Sequence, residues 1–178
     1  MPLTVLIGGA RSGKSRLAVE LAVRSGAPVT FIATGEARDD EMAIRIATHR
    51  AERPPGWVTV EEPYALEAAV GAADPSHTVV VDCLTLWTAN ALARDREPEL
   101  VLEAATQAAA TAARREAFTI AVSNEVGLGI VPMDSFSRAY RELLGAVNRA
   151  WVAASTDAAL VVAGRALRLI AADELAAR

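Results

Sequence analysis

Eight residues near the start of the chain, Gly8-Gly9-Ala10-Arg11-Ser12-Gly13-Lys14-Ser15, fit the spacing Gly-x-x-x-x-Gly-Lys-Ser. Glycines let a backbone turn so that successive N–H groups converge where phosphate oxygens could accept from them. A helix beginning at the end of such a loop adds its positive dipole end. Lys14 would then reach the β- and γ-phosphates, and the Ser15 hydroxyl would be a ligand for Mg²⁺. Lys14 is the single lysine of a chain rich in arginine. Its place here fits a need for a compact ammonium and not for any positive charge. A glycine-rich turn before a helix is the plainer explanation. The apolar strand pattern before the loop and the amphipathic pattern after it favour a triphosphate cradle.

Asp82 closes the apolar run Val79-Val80-Val81. In open α/β sheets ligands collect at the carboxyl ends of strands, which would set Asp82 beside Ser15 as a second Mg²⁺ partner. The alternative is an aspartate that starts a turn. Cys83 reads as packing. His49 lies in a helical pattern, with Arg45 four residues before it, Arg53 four after it and Arg50 adjacent. If the helix reaches Arg53, both guanidinium groups lie on the face of the ring. Flanking cations disfavour an imidazolium and leave a ring nitrogen free to attack phosphorus, while gripping the triphosphate themselves. A solvated helix face of mixed charge accounts for the same residues, and the residues alone favour it. His77, in a turn before a strand, is expected to have no role.

The elements that must position these groups follow from periodicity. Strands are expected at 3–7, 28–33, 57–61, 78–81, 118–123 and 158–163, with a last one at 166–170. Helices are expected at 14–25, from Asp39 or Asp40 to about Glu52, and at 64–72, 84–94, 99–116 and 135–155. Strands alternating with helices predict an α/β fold with a mostly parallel sheet and helices on both faces. The chain has 178 residues and no composition break or repeat, so a single domain over 1–178 is expected. Apolar residues make up 52% of the chain, yet no run approaches the roughly eighteen needed for a membrane span. The start of the chain lacks the features of a secretory signal, and a single cysteine forms no internal disulfide, which fits a cytoplasmic protein. A net charge of −4 and the absence of a basic run argue against nucleic acid as a partner.

Several residue runs together resemble one family. They are the 8–15 loop, Ile32-Ala33-Thr34, Asp39-Asp40-Glu41-Met42-Ala43-x-Arg45-Ile46, His49 with Arg53-Pro54, Trp57, Thr59 and Glu61. Asp82-Cys83-Leu84-Thr85 with Asn90, and Ser123-Asn124-Glu125-Val126-Gly127-x-Gly129-Ile130-Val131-Pro132, complete the set. Nearly the whole chain is similar to the bifunctional adenosylcobinamide kinase/adenosylcobinamide-phosphate guanylyltransferases of cobalamin biosynthesis. The resemblance implies a P-loop NTPase fold of RecA-like type. It also implies phosphorylation of adenosylcobinamide by ATP or GTP, then transfer of GMP from GTP through a guanylylated histidine to give adenosylcobinamide-GDP and pyrophosphate.

In the family the guanylylated histidine matches His49. Nucleotide contacts match Gly8, Gly9, Ala10, Arg11, Ser12, Gly13, Lys14, Ser15, Ala33, Thr34, Gly35, Arg50, Ala51, Glu52, Arg53, Glu61 and Asp82, with Mg²⁺ on Ser15 and Asp82. A homo-oligomer, a trimer in relatives, is implied, with sites near subunit boundaries. Thr48, Arg50 and Asp82 stand where some relatives carry histidine, lysine and glutamate, and no required chemical group is lost. The segment from Thr34 to Arg53 is expected to move between an arrangement for γ-transfer and one for α-transfer. Glu125, Arg138 and Tyr140 are candidates for the corrin ring by position only, with structural roles an equal reading. The alternatives are a P-loop small-molecule kinase without the transfer, a RecA-like ATPase, and a nucleotide-binding domain that has lost catalysis.

Overall fold

The apolar runs become a seven-stranded sheet in the computed structural model, which describes residues 3–94 and 97–172. The ends of the expected 1–178 domain therefore lie outside the described residues. In chain order the elements are β1 (Leu3–Gly8), α1 (Lys14–Arg24), β2 (Val29–Ala33), α2 (Asp40–Ala51), β3 (Val58–Glu61), α3 (Leu66–Ala72) and β4 (Thr78–Asp82). Then come α4 (Leu84–Leu92), α5 (Pro98–Ala113), β5 (Thr119–Asn124), α6 (Ser135–Ala154), β6 (Asp157–Val162) and β7 (Arg165–Leu169). The strands lie in the order β3-β2-β4-β5-β1-β6-β7. All neighbours are parallel except β6 and β7, an antiparallel hairpin at one edge.

Strand alternation divides the core in two. Leu3, Val5 and Ile7 of β1 point with Val79, Val81 and Ala121 towards α3, α4, α5 and α6, where Trp87 and Trp151 are fully buried. Leu6 points the other way with Phe31, Val80, Ile120 and Val122, against Ala18 and Ala22 of α1. Each such apolar side chain, fully buried, contributes about 1.5–3 kcal/mol. Both faces of the central strands are thus covered, which is why those strands read as unbroken apolar runs.

Among the helices α2 is the exception. None of its residues is buried. Its start is secured locally: Asp39 accepts from the Met42 N–H at 2.7 Å, with Asp40 and Glu41 in the first turn. His77 also departs from expectation. Its Nδ1 lies 2.9 Å from the Thr30 hydroxyl, so it ties the turn before β4 to β2.

Candidate active site

β1 ends at Gly8, and the next five residues form the loop that delivers Lys14 to the start of α1. Gly8 must be glycine, because a Cβ there would run into the Val161 carbonyl oxygen of β6. Gly13, at φ 101°, holds the left-handed turn into the helix. The loop is backed by the β6–β7 hairpin, whose turn residues Ala163 and Gly164 both have positive φ, and the Gly164 N–H donates to the Ser12 carbonyl at 2.8 Å. No side chain caps α1, and its first turn holds no acidic residue. Its leading N–H groups and dipole end therefore meet no acid from the helix itself. Lys14 is buried, its ammonium donating to the Gly9 carbonyl at 2.7 Å and facing the Ser12 hydroxyl at 3.5 Å. Burial pulls Lys14 below the ordinary amine range, with Asp82 opposing and Arg45 assisting.

Asp82 ends β4, two strands from β1 across β5, and lines the same cavity as Ser15. Removal from bulk water pushes its carboxyl above the usual range, against the Ser15 hydroxyl and the nearby His49, Arg53 and Lys14. The Asp82–Cys83 peptide is cis. Burial, then the Asp82 charge, push the Cys83 thiol up to about 11, so it stays a thiol. Thr34, fully buried, spends its hydroxyl on the Cys83 carbonyl at 2.6 Å and the Cys83 N–H at 2.8 Å. Asn90 adds a donor to the Thr34 carbonyl at 2.8 Å. Thr34 therefore clamps the ends of β2 and β4 together, and its hydroxyl is not free for a ligand.

A cavity of about 380 Å³ opens beside the loop, lined by Ser15, Arg16, Val19, Glu20, Phe31, His49, Glu52, Arg53 and Asp82. His49, from the last turn of α2, faces the same volume as the two Mg²⁺ candidates. Glu52 Oε2 lies 3.5 Å from its Nδ1. The helix stops at Ala51 with Glu52 as its cap, as expected, so the condition that it reach Arg53 is not met. Arg53 leaves the helix to lie over the Phe31 ring, 3.8 Å from its centroid, with Trp57 stacked on Phe31 at 6.3 Å. It donates to Thr59 at 3.2 Å, while its Nε is buried without a partner among the described residues. Burial lowers its basicity and Asp82 restores part of it.

Arg53 also borders a second concavity of about 330 Å³ with Arg50, Trp57 and Thr59. Arg50 pairs there with Glu61 at 3.1 Å. Ser15, Asp82, His49, Glu52 and Arg53 thus meet around one cavity, which Gly8 to Lys14 do not line, and Arg50 borders the neighbouring concavity with Glu61 as its partner. Gly35, past Ala33 and Thr34, packs between Leu86 and Ile46. Ala51 is exposed at the end of α2. Sequence reasoning missed Arg16, Glu20 and Phe31 as lining residues. Phe31 carries no signal of its own, being one of five buried positions in β2.

Of the residues picked by position, Tyr140 donates to the Thr85 carbonyl at 3.2 Å and is pushed beyond the ordinary phenol range by burial. Arg138 donates to the Pro132 and Met133 carbonyls at 3.1 and 2.5 Å, and the Glu125 carboxylate accepts from the Gly127 N–H. All three hold local structure.

Comparison with known proteins follows the same lines. The family model described as CobU, cobinamide kinase / cobinamide phosphate guanyltransferase, matches residues 4–169. The bifunctional adenosylcobalamin biosynthesis protein CobP of Pseudomonas aeruginosa is 43% identical, over 90% of this chain and 92% of its own. The corresponding CobU protein of Escherichia coli is 37% identical, over 94% and 99%. Among solved structures, the RadB recombinase superposes with a TM-score of 0.52 at 18% identity, covering 89% of this chain and 73% of its own. A prototypical ATPase from the type III secretion system of pathogenic bacteria gives 0.53 at 11%, covering 99% and 60%. These two likenesses show the fold, which is RecA-like. No helix among the described residues is long and apolar enough to cross a membrane.

Proposed function

Because the chain belongs to the cobinamide kinase / cobinamide phosphate guanyltransferase family, we propose that one phosphate cradle serves both reactions in that name. In the first, the hydroxyl of adenosylcobinamide attacks the γ-phosphorus of ATP or GTP, and the nucleoside diphosphate leaves. In the second, a ring nitrogen of His49 attacks the α-phosphorus of GTP. An N–P bond forms as the bond to pyrophosphate breaks, and a phosphate oxygen of adenosylcobinamide phosphate then displaces the ring to give adenosylcobinamide-GDP. The grip on the β- and γ-phosphates stays the same while the nucleophile changes.

The observation that carries this reading is the shared cavity: His49 lines the same space as Ser15 and Asp82. Glu52 faces Nδ1, which leaves Nε2 as the attacking nitrogen and gives the ring an orienting partner. Backbone N–H groups of Gly9 to Lys14 and the Lys14 ammonium take the phosphate oxygens. A phosphate oxygen would also give the buried Arg53 Nε its missing acceptor. Ser15 and Asp82 are hard oxygen donors that line one cavity, a pair that fits Mg²⁺. No group of three metal-binding side chains lies among the described residues, as suits an ion that draws its other ligands from phosphate and water. Bound there, Mg²⁺ would neutralise charge on the phosphate oxygens.

α2 buries none of its residues, which supports movement of the Thr34 to Arg53 segment between the two reactions. The reading extends to a cytoplasmic homo-oligomer, with three subunits as the first arrangement to test, acting on small molecules and not on nucleic acid. Intact-protein mass spectrometry after incubation with GTP and Mg²⁺ tests the transfer half. One added GMP is expected, absent in His49→Ala. A protein that phosphorylates cobinamide but never carries GMP is a kinase alone.

A further inference from the structure

The loop from Asn124 to Asp134 joins β5 to α6 and carries apolar side chains that none of the described residues covers. Leu128 is 86% exposed, Ile130 97% and Met133 98%, with Val131 and Phe136 also exposed. Apolar side chains gathered in this way on a loose loop would collapse or disorder. This loop is held. The Glu125 N–H donates to the Gly8 carbonyl at 3.1 Å, and Arg141 donates to the Gly127 carbonyl at 2.7 Å. Arg138 holds the Pro132 and Met133 carbonyls, and the Glu125 carboxylate holds the Gly127 N–H. Below it, Asn124 is fixed through its N–H on Thr85 at 2.7 Å and through its carbonyl on Asn148 at 3.0 Å. Polar groups are spent on shaping the loop, and its apolar side chains face outward. An exposed apolar patch on a rigid frame marks a binding surface.

Its position indicates what binds. β5 lies between β1 and β4, whose carboxyl ends carry the phosphate loop and Asp82. The nucleotide cavity draws its lining from α1, β2, α2 and β4 and none from this loop. A body resting on the loop is therefore joined, through Gly8, to the place where the γ-phosphate would lie, without competing for the nucleotide's own walls. We propose that Leu128, Ile130, Val131 and Met133 seat the corrin ring of the phosphoryl acceptor by its methyl groups, so that its hydroxyl is presented to the cradle. The proposal rests on the kinase reading above. It names the acceptor's binding surface, which that reading leaves open.

The test uses the double variant Ile130→Ser/Met133→Ser and the conservative Ile130→Leu/Met133→Leu. Cobinamide binding is read by equilibrium dialysis of the coloured corrinoid, and GMP labelling and subunit mass are measured alongside. Expected is a dissociation constant for cobinamide raised about tenfold or more by the serines and near wild type with the leucines. GMP labelling, which needs no acceptor, and subunit mass stay unchanged. Unaltered cobinamide affinity in the serine variant overturns the seat. A fall in subunit number overturns it too, because the patch is then an interface between copies. Wild-type protein that binds GTP but no cobinamide overturns the kinase reading together with the seat.

Discussion

α1 and α2 both follow a strand at the ligand end of the sheet, and they are built in opposite ways. α1 buries Lys14, Ala18 and Ala22 against the strands and begins with no side-chain cap and no acidic residue. α2 buries nothing, and its start is capped by Asp39 and flanked by Asp40 and Glu41. One helix offers its positive end to a ligand, while the other has already satisfied that end and offers its last turn, with His49. The phosphate grip is thus anchored in the core. The proposed nucleophile rides on an element tied at its two ends, by Asn90 on the Thr34 carbonyl and Arg38 before it and by Arg50 and Arg53 on Glu61, Phe31 and Thr59 after it, with no buried residue between. A site that must present two nucleophiles in turn to one triphosphate gains from this division.

The sharpest way to break the comparison is a pair of substitutions. His49→Ala is expected to abolish labelling by GTP tagged at the α-phosphorus while phosphorylation of cobinamide continues near the wild-type rate. Lys14→Ala is expected to slow both reactions by about 10²–10³-fold in steady-state assays. If the two variants fail in the same way, grip and nucleophile are not separable.

Asp82→Asn comes next. It is expected to weaken the Mg²⁺ dependence of both reactions and to raise the thermal midpoint of the ligand-free protein by a few degrees at neutral pH. The sign follows from the raised carboxyl of Asp82. The folded chain holds that proton more tightly than the unfolded chain, so ionisation costs stability as the pH rises, and the neutral amide avoids the cost. The advantage should vanish near pH 4, about the unfolded carboxylate value, where the wild-type group is protonated as well. A midpoint below wild type at every pH would contradict the burial account.

A smaller effect is expected of Glu52→Gln: slower GMP labelling by about tenfold, equal to 1.4 kcal/mol in the barrier, with the kinase rate unchanged. Labelling at the wild-type rate would leave Glu52 no part in setting the ring. Smallest is a difference in hydrogen exchange, with amides of α2 opening faster than those of α1. Equal protection would remove the physical basis for the contrast.

Much of this was legible beforehand, for local reasons. The phosphate loop is a contiguous motif, and Val79 to Val81 reads as a strand because both faces are covered. Asp82 falls beside Ser15 by the topology of parallel sheets alone. What was not legible depends on contacts distant in sequence. The end of α2 near Glu52 was legible, but the place of Arg53 beyond it was not, because Arg53 lies over Phe31, a residue that reads as plain core. His77 gained a partner on β2 that no turn pattern announces. Tyr140, Arg138 and Glu125 stood out by position, and the backbone groups that they hold are not legible from it. The exposed Leu128, Ile130 and Met133 resemble core residues in the sequence, and only the path of the chain shows that none of the described residues lies over them.

The hairpin at the sheet's edge stands behind the cradle. Its turn grips the Ser12 carbonyl, and the Val161 oxygen leaves Gly8 no room to retreat. The shape of the loop is therefore set from behind by residues that lie far from it in sequence. Variation at Ala163, which must keep a positive φ to hold the turn, would loosen or tighten the loop from the rear. A search for enzymes with altered nucleotide preference has a second place to begin, far along the chain from the motif that first draws attention.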